Sequence, residues 1–212
     1  MKLKISLFLL IPILAQGQWE ESYLSPAEPP RFMTGGHLST FRISLQNFEN
    51  VYADRWGPSY GGFVGVRAFG AHYITFKYGQ FQKGGKEGIH EPSGEDLTNA
   101  LWQQHWYKLG LRIHPMPEHK LGSYYGFGIG LFNTKEAEPI SVFETIVESD
   151  EKKANVGTGI YLELGIDYFF TEKVAAFFDL EVSSGGTRGR STFEAMSIGG
   201  WLLSIGISYY PF

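Results

Sequence analysis

Residues 156–170 alternate with period two between an almost wholly apolar set and a set of glycine, aromatic and ionised residues. The first set is Val156, Thr158, Ile160, Leu162, Leu164, Ile166, Tyr168 and Phe170, and the second is Gly157, Gly159, Tyr161, Glu163, Gly165, Asp167 and Phe169. Successive side chains of a β-strand point to opposite faces, so the segment predicts a strand with one apolar face. Its length is well above the roughly 5–6 residues of an ordinary strand. Alternation over such a length is typical of a strand that crosses a membrane with its apolar face toward lipid.

Seven further segments alternate in the same way, and together they predict the strands Gly36–Gln46, Tyr60–Phe69, His72–Gln82, Trp102–His114, Lys120–Phe132, Val156–Phe170, Lys173–Ser183 and Met196–Tyr210. Short turns (Gly70-Ala71, Pro115–His119, Thr171-Glu172) alternate with long loops (Asn47–Ser59, Lys83–Leu101, Asn133–Asn155, Ser184–Ala195). Outer-membrane barrels have short periplasmic turns and long external loops, and an even number of antiparallel strands closes without an edge. We therefore predict an all-β fold, an eight-stranded antiparallel up-and-down transmembrane β-barrel over residues 36–212.

The predicted lipid-facing set contains no charged residue. It consists of Phe41, Ile43, Leu45; Val64, Val66, Ala68; Ile74, Phe76, Tyr78; Tyr107, Leu109, Leu111, Ile113; Tyr125, Phe127, Ile129, Leu131; Val174, Ala176, Phe178, Leu180, Val182; and Trp201, Leu203, Ile205, Ile207, Tyr209. Aromatic rings favour the water–lipid boundary. We expect Tyr168, Phe170, Tyr209 and Phe212 at the periplasmic boundary, and Tyr78 and Trp201 nearer the outer one.

The opposite faces carry charges and many glycines. The charged residues are Arg42, Arg67, Lys77, Lys108, Arg112, Glu163, Asp167, Asp179 and Glu181. Isolated buried charges are costly, so these side chains predict a hydrogen-bonded interior polar network that fills the lumen. A proton or ion path is the alternative. A soluble lipocalin-like barrel would place this set in water, but rows of glycine are unusual on a solvated strand face.

The amino-terminal segment has the features of a secretory signal. Lys2 and Lys4 precede an apolar run from Ile5 to Leu14 and the small-residue sequence Ala15-Gln16-Gly17. We predict a signal peptide over residues 1–17, cleaved before Gln18. The alternative, an uncleaved membrane helix, needs about 20 apolar residues, and this shorter run contains Pro12. Residues 18–35, with three prolines, predict an extended periplasmic lead-in segment.

Charge and cysteine content restrict the possible partners. Without Lys2 and Lys4 the chain keeps 16 basic and 22 acidic residues, a net charge of −6, which argues against a nucleic-acid partner. Cysteine is absent, so disulfides and a lipid-modified cysteine are impossible. The histidines have no metal-ligand spacing, and no glycine-rich phosphate loop leads into a helix. We predict no cofactor and no metal.

Two patterns could suggest catalysis. His37-Leu38-Ser39 matches the His-x-Ser of lipid A deacylases but lies at the periplasmic start of the first strand, without that family's flanking residues. A palmitoyltransferase-like site needs His, Ser and Asp on external loops, and His90, Ser93 and Asp96 share one such loop. Such trios are frequent in polar loops, and general base catalysis needs a geometry that spacing alone does not provide. We predict that the chain is not an enzyme.

The loop Asn133–Asn155 is acidic, and its middle, Ile140–Val147, has strand-like composition. This loop could extend strands five and six beyond the bilayer as a hairpin. A protruding edge can bind partners by strand addition. An acidic surface could also hold divalent cations that bridge lipopolysaccharide, or could simply keep the exposed end soluble.

In its architecture the chain resembles the small eight-stranded outer-membrane barrels, the OmpA-like transmembrane domain and the OmpX group, from about residue 36 to residue 212. The resemblance implies a location in the cell outer membrane and insertion by the barrel assembly machinery. We predict a monomer whose partners are outer-membrane lipid and lipopolysaccharide. Tyr210 and Phe212 resemble the assembly signal, although apolar residues do not continue at alternate positions upstream of them. The resulting prediction is a barrel with a plugged polar interior and a structural or surface-interaction role through its long external loops. A lipid-modifying enzyme (acyltransferase or deacylase-like) and a narrow small-solute channel are the alternatives.

Overall fold

The computed structural model describes residues 29–45, 48–85, 95–96, 100–115, 117, 120–137, 140–141, 153–187 and 196–211. The predicted signal peptide and most of the lead-in segment lie outside the described residues, as does Phe212.

Eight long antiparallel strands form one closed barrel. They are β1 (Phe32–Ile43), β2 (Trp56–Phe69), β3 (His72–Gly84), β4 (Leu101–Ile113), β5 (Leu121–Ala137), β6 (Lys153–Thr171), β7 (Val174–Thr187) and β8 (Gly200–Tyr209). Each strand pairs with its neighbour in the chain, and β8 pairs with β1 from Thr34↔Tyr209 to Ile43↔Gly200. This last pairing leaves no edge, so the predicted fold class is confirmed.

Four short elements among the described residues lie at the loop end of the barrel. Helix α1 (Phe48–Val51) follows β1, Met196–Ser197 pairs with β7, and Glu95–Asp96 pairs with Ile140–Ser141. No helix among the described residues is long and apolar enough to span a membrane.

Several strands are longer than the alternation predicts. The first strand begins at Phe32 rather than Gly36, and the second at Trp56 rather than Tyr60. Strands β5 and β6 stay paired out to Glu136↔Lys153. Their 17 and 19 residues exceed what a tilted membrane strand of about 9–11 residues needs. The predicted extension of these two strands beyond the bilayer is therefore present as far as Glu136 and Lys153.

The apolar faces point outward. Leu162, Leu164 and Ile166 are 63%, 62% and 45% exposed, whereas Glu163 and Asp167 are each 1% exposed. The same holds for the apolar residues of the other strands, among them Val64, Val66, Ile74, Phe76, Leu109, Phe127, Ile129, Phe178, Ile205 and Ile207. A soluble barrel needs the reverse arrangement, so the lipocalin-like alternative is wrong. The exposed band is the hydrocarbon-facing surface of a membrane barrel.

Strand β1 is the exception, and its predicted facing is wrong. Phe41 and Ile43 are buried in the lumen, as is Leu45 just beyond the strand. Arg42 instead lies on the outer face, with its guanidinium over the Trp56 ring. The pairing explains the error: Arg42 is opposite Trp56 on β2 and Trp201 on β8, and both of these residues face outward.

Candidate functional site in the barrel lumen

The centre of the lumen is an ionic network between two walls. Lys77 on β3 is paired across the strands with Lys108 on β4, and Glu163 on β6 is paired with Glu181 on β7. Like charges directly opposite each other repel. The cations of one wall are therefore stabilised by the carboxylates of the opposite wall. We call the following set the lumen network: Lys77, Lys108, Arg112, Glu163, Asp179 and Glu181. It holds three cations and three carboxylates, all buried.

Arg112 and Glu163 form the best-defined pair. The Arg112 guanidinium donates from Nε to Oε1 of Glu163 at 3.0 Å and from Nη2 to Oε2 at 2.9 Å. Two parallel charge-assisted bonds set the geometry as well as the energy of such a pair. The guanidinium also lies over the rings of Phe63 and Tyr124, 4.5 Å and 4.2 Å from their centroids. Arg112 is therefore held on its edge by carboxylate and on its faces by aromatic rings.

Lys77 links the two walls directly. Its Nζ lies 2.7 Å from both Glu163 Oε2 and Glu181 Oε2, and 3.4 Å from Asp179 Oδ2. Glu181 also accepts from Lys108. Strands β3 and β7 are four apart in a ring of eight, so the Lys77–Glu181 bond crosses the diameter of the barrel. An eight-stranded interior is just wide enough for its own side chains, which makes this contact possible.

Interior glycines leave the volume that these side chains occupy. A Cβ at Gly126 would overlap the Glu163 carboxylate, and one at Gly165 would overlap the Tyr124 ring. Gly110 similarly faces the Tyr161 hydroxyl. The glycine rows on the inward faces are thus a steric requirement of the filled lumen.

An aromatic cluster occupies the lumen at the loop end. We call it the outer cluster: Phe41, Ile43, Leu45, Phe48, Tyr52, Phe81, Ala100, Trp102, Trp106, Phe132, Ile198 and Leu202. Phe41 packs on Phe81 and Trp106, each with ring centroids 5.1 Å apart. Helix α1 closes the cluster from the loop side, because Phe48 packs edge-on against Trp102 at 5.5 Å. Burial raises the pKa of the Tyr52 phenol next to this helix, which keeps it neutral.

A second cluster lies at the short-turn end. We call it the inner cluster: Met33, Phe63, Tyr73, Ala175, Phe177 and Tyr210. Beside it, His114 Nε2 lies 2.8 Å from Asp167 Oδ2. The end of the lead-in segment covers this mouth, since the Pro29 carbonyl accepts from Arg67 and the Pro30 carbonyl accepts from Tyr73 at 2.9 Å.

The nine residues of the predicted interior network fall into three groups. Six form the lumen network. Asp167 is buried but lies with His114, and Arg67 is half-buried at the inner mouth. Arg42 lies on the outer wall, so its predicted place in the interior network is wrong. The sequence reasoning missed His114, although its spacing of two from Arg112 would have placed it on the same face.

The residues considered for catalysis are scattered. His37 Nδ1 contacts Ser39 Oγ, and that hydroxyl donates to Ser204 Oγ at 2.9 Å. His37 is buried in the lumen. His90 and Ser93 lie outside the described residues, and the backbone of Asp96 pairs with Ile140. Within the described part of the chain, no group of acidic and histidine side chains could hold a metal ion.

Neither the protein-family models nor the curated proteins include a match to this chain. Among solved structures, Neisserial surface protein A is similar with a TM-score of 0.57 and 10% identity, over 85% of this chain and 97% of that one. The outer membrane protein OprG from Pseudomonas aeruginosa is similar with a TM-score of 0.56 and 15% identity, over 88% of this chain and 98% of that one. The chain has the fold of the small outer-membrane β-barrels. This fold, with an apolar belt on its outer surface, places the chain in an outer membrane.

Proposed function

We propose that this barrel is closed to solutes and acts as a structural or surface-interaction protein, with its long loops outside the cell. The observation that carries the proposal is the Lys77–Glu181 bond across the lumen, at 2.7 Å. Two side chains that meet across the diameter and are held there by ion pairs support a lumen without a continuous water path at that level.

Two apolar layers support the same conclusion. The lumen network lies between the outer cluster, which includes Trp102 and Phe132, and the inner cluster, which includes Phe63 and Tyr210. An ion that passed Arg67 at the inner mouth, or that entered at the loop end, would meet apolar side chains of these clusters before reaching the lumen network. Moving an ion through such a layer is costly. The arrangement therefore favours a filled barrel over the proton or ion path.

The surface role is supported by the loop end of the barrel. Strands β5 and β6 continue past the length that the membrane requires. The pairing of Glu95–Asp96 with Ile140–Ser141 connects two of the long loops through their backbones. Residues 142–152 lie outside the described residues, and their acidic composition is known from the sequence. This end offers a raised platform for a partner or for cation-bridged lipopolysaccharide.

Conductance tests the closed lumen. The purified wild-type barrel in planar bilayers is expected to show no steady single-channel current. A control variant that truncates both the cross-lumen bond and the outer cluster (Lys77→Ala, Glu181→Ala, Trp102→Ala) is expected to conduct, which demonstrates that the assay detects a pore of this size. Steady conductance from the wild-type protein would overturn the proposal.

Loop replacement tests the surface role. Residues 138–152 lie between the described ends of β5 and β6, so a short Gly-Asn turn can replace them. Replacement of residues 188–195, between β7 and Met196, is the matched control. We expect both variants to insert, and only the first to lose adhesion of whole cells to a host-type surface or matrix. Unchanged adhesion in the first variant would restrict the role to a structural one.

The lipid-modifying alternative finds little support in the geometry. His37 and Ser39 face the lumen, whereas the acyl chains of a membrane lipid lie against the outer wall. Mass spectrometry of lipid A from cells with and without the protein remains the direct test. Insertion by the barrel assembly machinery through Tyr210 and Phe212, and the monomeric state, stay predictions.

A further inference from the structure

Three residues on adjacent strands form a row on the outer wall. Arg42 on β1 is the direct cross-strand partner of Trp201 on β8 and of Trp56 on β2. Both indoles are exposed, 45% for Trp201 and 41% for Trp56. The Arg42 guanidinium lies 6.0 Å from the centre of the Trp56 ring. We call Trp201, Arg42 and Trp56 the outer-wall triad.

The triad lies at one boundary of the apolar belt. On β1 the outward residues run from Phe32, through Leu38, to Arg42. Ten residues at about 3.3 Å each, tilted by about 40°, rise roughly 25 Å, which is the height of the apolar band of such barrels. Phe32 at one boundary therefore puts Arg42 at the other, on the loop side. This is the depth where indole rings and lipid headgroups are found.

In the described part of the chain, the charge on Arg42 has no protein counter-ion, since it forms no ion pair there. In contrast to Arg42, each of the lumen cations Lys77 and Arg112 forms an ion pair with a buried carboxylate. A guanidinium at a lipid boundary is attracted to anionic headgroups. Its planar fork matches two oxygens of a phosphate, and flanking rings restrict its orientation.

A neighbouring part of the wall is also polar. Gln80 donates to the Tyr60 hydroxyl, and the Tyr78 hydroxyl lies 3.1 Å from both Gln80 Oε1 and His105 Nδ1. These side chains lie on outward-facing positions of β2, which also carries Trp56, and of β3 and β4, the next two strands around the barrel. Hydroxyl, amide and imidazole groups can form hydrogen bonds with the hydroxyl groups of a sugar headgroup, which hydrocarbon cannot offer.

We propose that the outer-wall triad binds a phosphate of a phosphorylated glycolipid in the outer leaflet, with Arg42 as the phosphate ligand. The inference rests on the proposed orientation, which puts the loop end outside the cell. It concerns the outer wall and not the lumen, so conductance and lipid binding test the two proposals separately.

The test is native mass spectrometry of the purified full barrel with diphosphorylated lipid A. The same lipid without its phosphates, and inorganic phosphate alone, are the ligand controls. Arg42→Gln removes the charge, and Lys135→Gln is the matched control variant. Lys135 is exposed on β5, four strands from β1 and so on the opposite side of the barrel. Circular dichroism establishes that each variant is folded.

We expect Arg42→Gln to weaken binding of the phosphorylated lipid about tenfold, the loss of one charge-assisted contact. Lys135→Gln and wild type should bind equally, and the lipid without phosphates should not distinguish wild type from Arg42→Gln. Inorganic phosphate alone should not bind measurably, because the site needs the lipid anchored in the leaflet. An equal loss in both charge variants, or no loss in Arg42→Gln, overturns the proposal. Binding of free phosphate as tight as that of the lipid also overturns it.

Discussion

Arg112 and Glu163 are joined by two parallel hydrogen bonds, of 3.0 and 2.9 Å, although neither side chain reaches solvent. Glu163 Oε2 also lies 2.7 Å from Lys77 Nζ. One carboxylate thus balances part of the charge of two buried cations, Arg112 and Lys77. Removing this carboxylate is therefore expected to destabilise the barrel, because both cations lose a counter-charge.

Glu163→Gln is expected to destabilise the folded barrel by about 3–5 kcal/mol, because it leaves buried cations without their counter-charge. The measurement is the urea midpoint of reversible unfolding from lipid vesicles. Thr158→Ala is the control, since Thr158 is exposed on the outward face of the same strand, and should stay within about 0.5 kcal/mol of wild type. Equal midpoints for the two variants would contradict a stabilising lumen network.

Gly126→Ala is expected to cost about 1–3 kcal/mol, since the added methyl group overlaps the Glu163 carboxylate and forces it to move. Gly36→Ala is the matched control. A Cβ there meets nothing closer than the Gly61 carbonyl oxygen at 3.8 Å, and it removes the entropic cost of glycine in a strand. The control should therefore be neutral or slightly stabilising in the same unfolding assay. A neutral Gly126→Ala would mean that the lumen is not closely packed.

Leu164→Arg tests the depth of the apolar belt. Leu164 is six residues from Phe170, about 15 Å above the periplasmic boundary at roughly 2.5 Å per tilted residue, and so near the bilayer centre. Arginine there should cost about 2–4 kcal/mol, whereas Val156→Arg, on the same face but beyond the belt, should cost about 0–1 kcal/mol. The unfolding free energies of the two variants in lipid vesicles are compared. A cost that does not depend on position would refute the assigned depth.

The start of β2 provides a pH-dependent contact. Lys83 Nζ lies 3.0 Å from Asp54 Oδ2, and Asp54 Oδ1 accepts from the Trp56 amide at 2.7 Å. The hydrogen bond from Lys83, together with that amide, holds the pKa of the Asp54 carboxyl below its ordinary value of 3.8. A carboxyl with a lowered folded-state pKa stabilises the fold above its unfolded pKa, and this stabilisation is lost as the pH falls through the folded value.

Lys83→Met should therefore raise the pKa of Asp54 toward its ordinary value, as followed by carboxyl-carbon NMR of the labelled protein in micelles. Because the pair is exposed, its contribution to stability should be only about 0.2–1 kcal/mol. Lys135→Met is the control and should leave the titration of Asp54 unchanged. An Asp54 titration curve that is the same in wild type and Lys83→Met would show that the ion pair is not formed in solution.

Alternation predicted the facing of seven strands because one face of each is almost wholly apolar. In β6, for example, a shift by one residue would exchange Leu164 with Glu163, so only one facing is compatible with lipid. The strand number and closure followed from the same pattern. Alternation could not show how far strands continue past the membrane, since the solvated ends of β5 and β6 are under no requirement to alternate.

By itself, the sequence determined which residues of these seven strands meet lipid and which are confined to the lumen. Period-two patterning is local, and a charged side chain in hydrocarbon is costly. Tertiary structure decided the facing of β1, where both faces mix polar and apolar residues. Only pairing with Trp56 and Trp201 turns Arg42 outward and Phe41 inward. The tertiary structure also decided which buried charges meet, such as Lys77 and Glu181. Closure of the sheet brings together side chains that are far apart in the chain.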